Sequence, residues 1–110
     1  MNRAERLELF RTNLAKIEKK EEAFVIFEHP KTQKFIQFAS RNGEEGFIAN
    51  VPIVDVNNLT REEIERLRSL GEVSESDMGF DEMFKECSLE EAVVLAERFF
   101  REVCLFFRRL

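Results

Sequence analysis

Residues 23–39 constrain this chain most. Ala23-Phe-Val-Ile-Phe-Glu-His29 is apolar on both alternating faces, with Phe24 and Ile26 pointing one way and Val25 and Phe27 the other. Pro30-Lys31-Thr32-Gln33 follows, and proline presets φ for the second position of a turn. Residues 34–39, Lys-Phe-Ile-Gln-Phe-Ala, return as a second strand. A strand apolar on both faces needs cover on both, either within one chain or from a helix on one side and a partner subunit on the other.

The segments after the hairpin extend it to a three-stranded antiparallel meander. Arg41 to Gly46 is a second turn, with Gly43 and Gly46 available for positive φ. Residues 47–51 are a third strand, stopped by Pro52, which has no N–H for a ladder.

Helices flank the meander. Ala4, Leu7, Phe10, Leu14 and Ile17 recur at three- and four-residue steps and predict a helix over residues 3–20. Leu9 lies on its opposite face and is assigned no role. Thr60 and Glu63 form a capping box, with Leu59 and Ile64 as the hydrophobic staple. Ile64, Leu67 and Leu70 face the core, and Gly71 ends the helix. Residues 72–87 are acidic and read as a loop with a short strand near Phe80–Phe84. The acidic block lacks the spacing of a calcium loop. Ser88 and Glu91 form another capping box, opening a last helix that runs to about Arg108.

That helix has an apolar stripe wider than one sheet face needs, running from Leu89 through Phe99, Phe100 and Val103 to Phe106 and Phe107. Val94 and Leu105 lie on its far side. The surplus predicts either a central core helix or a surface that closes a dimer. The order of elements predicts an α+β domain: N-terminal helix, meander, helix, short strand or loop, and a long C-terminal helix packed on the sheet.

Composition narrows the function. One domain covers residues 1–110, with 44% hydrophobic residues, 35% charged residues and a net charge of −5. An acidic balance argues against a nucleic-acid partner. No apolar run is long enough to span a membrane, and no leader is visible, so the expected compartment is cytoplasmic. His29 stands alone before Pro30 and reads as a solvated turn residue. Cys87 and Cys104 lack metal-ligand spacing and lie about 25 Å apart along a helix, too far for a disulfide. No cofactor or metal is implied.

The run Phe24-Val-Ile-Phe-Glu-His-Pro-Lys-Thr-Gln-Lys-Phe-Ile-Gln-Phe-Ala39 resembles the central hairpin of the type III secretion chaperone-like superfamily. Phe35-Ile36-Gln37-Phe38 matches its second strand, and Asn58 to Gly71 resembles the helix that its members carry before a Leu-Gly pair. The resemblance implies a domain without enzymatic activity that binds extended peptide segments, often as a small acidic homodimer.

The expected function is therefore a non-enzymatic, homodimeric, chaperone-like module for a peptide segment or protein partner. A small structural adaptor subunit is the alternative reading, and a small hydrolase a more distant one. In the leading reading, apolar side chains of the partner fill Phe-lined pockets while its backbone pairs with a sheet edge. Candidate contact residues are Phe35, Phe38, Phe47, Val94 and Leu105.

Overall fold

The computed structural model describes residues 2–53, 57–77 and 79–104. Its elements run α1 (Arg3–Ile17), β1 (Phe24–Glu28), β2 (Phe35–Arg41), β3 (Glu44–Pro52), α2 (Arg61–Arg68), β4 (Glu72–Ser76), β5 (Gly79–Cys87) and α3 (Leu89–Arg98). A π-helical segment, Phe99–Val103, continues α3. The class is α+β, and the expected meander is present as β1–β2–β3.

The sheet has five strands rather than three, in the order β1-β2-β3-β5-β4, all antiparallel. Residues 72–87, expected as a loop with one short strand, form the β4–β5 hairpin. Its second strand sets Met83 opposite Val51 and Cys87 opposite Phe47. The hairpin folds because a few apolar residues suffice on its inner side: Val73, Phe80, Met83 and Cys87. Phe80 lies beneath the guanidinium groups of Arg61 and Arg68, 5.8 and 5.0 Å from its ring centre.

Local chemistry sets the ends of the elements. The helix predicted to residue 20 stops at Ile17, because Lys19 turns to φ 71°. That lets the Lys20 carbonyl accept a 2.6 Å hydrogen bond from the Ser40 hydroxyl. Asn2 and Glu5 cap α1 reciprocally, as Thr60 and Glu63 cap α2 and Ser88 and Glu91 cap α3. Asn42 and Gly43, both at positive φ, join β2 to β3 in a tight turn. Gly46 has φ 88°, and a Cβ there would stand 2.8 Å from the Cys87 carbonyl oxygen, so β3 and β5 approach closely only with glycine at this point.

The helices pack on one face of the sheet. Phe27, Ile36, Phe38, Phe47, Ala49, Val51, Met83 and Cys87 point into that face and are buried. They meet Phe10 and Leu14 of α1, Leu67 of α2, and Ala92, Val93, Ala96, Phe99 and Val103 of α3 and its continuation. The described part of the wide stripe is thus consumed inside the domain. The predicted end of the last helix near Arg108, with Phe106 and Phe107, lies outside the described residues.

Ion pairs at two buried carboxylates help tie the helices down. Glu97 of α3, 2% exposed, accepts two hydrogen bonds from Arg6 of α1 at 2.6 and 2.7 Å, with Arg3 at 3.4 Å. The Arg6 hydrogen bonds, chiefly, hold the Glu97 carboxyl below its ordinary range against the opposing effect of burial. Glu63, fully buried in the first turn of α2, accepts from Lys34 Nζ at 2.7 and 2.9 Å and pins α2 to the start of β2.

The other sheet face carries no helix among the described residues. Phe24, Ile26 and Glu28 of β1, Phe35, Gln37 and Ala39 of β2, Ile48, Asn50 and Pro52 of β3, and Glu82, Phe84 and Glu86 of β5 share it by strand alternation and register. Among the described residues, four of the six large apolar side chains that stand exposed lie here: Phe24, Ile26, Ile48 and Phe84.

Candidate functional site

Strand β1 is an edge strand, and its pairing phase follows from its two ends. Ser40 N–H donates to the Ala23 carbonyl at 2.8 Å, and His29 N–H donates to the Lys34 carbonyl at 2.7 Å. Residues 25 and 27 therefore bond to β2. Phe24, Ile26 and Glu28 turn their N–H and C=O groups to the outer edge, which pairs with no strand among the described residues.

A cavity of about 660 Å³ opens along that edge. Ile26, Phe27, Glu28 and the His29–Lys31 turn form one wall, Arg6, Leu9 and Phe10 of α1 another, and Phe100 and Arg101 the end. Its floor is aromatic. The Phe10 ring lies 4.7 Å from Phe27 and 5.3 Å from Phe100, the second pair edge to face, and His29 meets Phe100 edge to face at 5.2 Å.

His29 is thus half-buried against an aromatic ring, not the solvated turn residue expected from its position before Pro30. Its Nδ1 accepts from the Thr32 backbone N–H at 3.2 Å, so the proline turn folds back on the ring. Leu9, assigned no role from its helical phase, stands exposed at the rim. A sharper reading would have placed Leu9 and Phe10 together at the margin between the core stripe and the solvent face.

The sequence-predicted contact residues scatter. Phe38 and Phe47 are fully buried beneath the helices, which corrects their assignment to a partner surface: inward alternation on β2 and β3 puts both in the core. Phe35 is half-buried on the helix-free face, its N–H and C=O both bonded to the Asn57 side chain at 3.0 Å. Val94 stands exposed on α3, away from the β1 cavity. Leu105 lies outside the described residues. None of the four described residues lines the cavity.

Both thiols, Cys87 and Cys104, are buried. The Thr32 hydroxyl lies 3.1 Å from His29 Nδ1. Burial pushes the Cys104 thiol up to about 12 and the Cys87 thiol up to about 11, so both stay protonated at neutral pH. Among the described residues, no group of three His, Cys, Asp or Glu side chains is placed to hold a metal ion, and no helix is long and apolar enough to cross a membrane. No family model, curated protein or solved structure matches the chain.

Proposed function

We propose that this chain is a non-enzymatic binding domain that captures an extended peptide segment along β1. The observation that carries the reading is the juxtaposition of an unpaired strand edge with an aromatic-floored cavity. The peptide adds as a sixth strand, its backbone bonding to Phe24, Ile26 and Glu28. Every second side chain then points toward the helix layer, and one of them fills the space over Phe10, Phe27 and Phe100. The volume suits a leucine- or phenylalanine-sized anchor with room for a neighbour. Lys31 and Glu28 stand at the mouth, and Arg101 there is already paired with Glu102 at 3.1 Å, so the apolar anchor rather than charge sets the preference.

Ile26→Pro tests this without disturbing the core. Proline removes an N–H that faces outward and is tolerated on edge strands. Peptides are first selected on the full chain from a displayed library of random octapeptides. The expected result is selected sequences with an apolar anchor, bound at least about tenfold more weakly by Ile26→Pro while its thermal unfolding shifts little. Selected peptides that bind Ile26→Pro as tightly as the parent chain would sink strand addition.

A further inference from the structure

The helix-free sheet face carries a second, independent interaction. A sheet face left to water alternates inward apolar with outward polar residues, yet here Phe24, Ile26, Ala39, Ile48 and Phe84 stand outward and exposed. Register places Phe24, Ala39 and Ile48 in one row, and Ile26, Gln37, Asn50 and Phe84 in the next. The patch runs from β1 to β5, three strand spacings or about 14 Å. That is close to three turns of an α-helix. It has the form of a missing third layer.

The charges around the patch choose its occupant. Glu28 stands at one side, and Glu82, Glu86 and Glu72 line the β5–β4 side, all exposed. Arg41, the cation at that end, is already paired with Glu86 at 3.5 Å. Gln37 donates to Asn50 at 2.8 Å and Asn50 donates to Glu82, so a polar ladder crosses the patch and ends on a carboxylate. A second copy of this chain, net charge −5, brings further acid to an acidic rim. A helix with an apolar stripe flanked by lysine or arginine matches both features at once.

We infer that the open face docks a basic amphipathic helix of a partner protein: its apolar stripe lies across Ile26, Ile48 and Phe84, and its cations reach Glu72, Glu82 and Glu86. This site is on the opposite side of the sheet from the aromatic floor of the β1 cavity and meets its wall at Ile26 and Glu28.

The test uses the full chain and a labelled synthetic helix of about eighteen residues, leucine on one face and lysine on the other, with its glutamate counterpart as control. Fluorescence anisotropy should show binding of the lysine peptide that weakens with added salt, and the glutamate peptide at least about tenfold weaker. Ile48→Ser/Phe84→Ser should weaken binding by about tenfold or more. Glu72→Gln/Glu82→Gln/Glu86→Gln, which leaves every apolar side chain in place, should weaken it and flatten the salt dependence. Glu62→Gln/Glu65→Gln, on α2 in the other layer, should leave it unchanged. Equal binding of the two peptides, or equal losses from the α2 and sheet variants, would overturn the inference. So would a free chain of twice the 13.0 kDa mass that Phe84→Ser returns to monomer, since the face would then belong to a second copy.

Discussion

The two faces of the same sheet received similar residue types and met different fates. On the helix side, Phe38, Phe47 and Ile36 are buried beneath α1, α3 and the π-helical segment. On the other side, Phe24, Ile48 and Phe84 occupy equivalent strand positions and remain in water. Apolar character along a strand therefore says that a face will be covered, not by what. The helix layer answers the question for one face, and no element among the described residues covers the other.

Substitutions on the two faces should separate most widely in stability. Phe38→Ala and Phe47→Ala each remove a fully buried ring and should cost about 4 kcal/mol. Phe84→Ser should cost about 1 kcal/mol or less, because its ring is already 42% exposed. Urea unfolding of the three variants measures this directly. Equal losses would mean that the open face is packed in solution and that the contrast between the faces is false.

The next effect in size concerns how the helix layer is held. Arg6→Ala leaves Glu97 buried with Arg3 at 3.4 Å and the more distant Arg101 as cations, and should cost about 3 kcal/mol near neutral pH. The sign with pH follows from the lowered Glu97 value. Its contribution is fully present above the ordinary carboxylate range and is lost as pH falls through the depressed folded-state value. The difference between parent and Arg6→Ala should therefore shrink as the solution is acidified from neutral, and a difference that grows on acidification would contradict the ion-pair account.

The parts of the fold that were legible in the sequence are those with strong local chemistry. The hairpin around Pro30, the Asn42-Gly43 turn region and the capping boxes at Thr60 and Ser88 fix β1–β3, α2 and α3 from neighbouring residues alone. The β4–β5 hairpin was not legible as a pair. Its inward apolar positions are only Val73, Phe80, Met83 and Cys87, interspersed with six acidic residues from Glu72 to Glu86, and its pairing with β3 is a long-range event. The β1 cavity was hidden for a related reason. Phe10, Phe27, His29 and Phe100 come from three separate elements, and each alone reads as core or turn. Phe38 and Phe47 were drawn outward by their residue type, whereas their alternation with Gln37 and Ile48 assigns them inward.

The smallest perturbation is the most direct test of the central claim, that β1 offers its outer edge to an extended segment. Amide hydrogen exchange at residues 24–28, followed by NMR, distinguishes the two sides of one strand. In the free chain, Val25 and Phe27 should be protected through β2, while Phe24, Ile26 and Glu28 exchange rapidly. Adding a library-selected peptide should slow the even-numbered amides and leave the odd ones as they were. Even-numbered amides already protected in the free chain, or left unprotected by a bound peptide, would contradict the account.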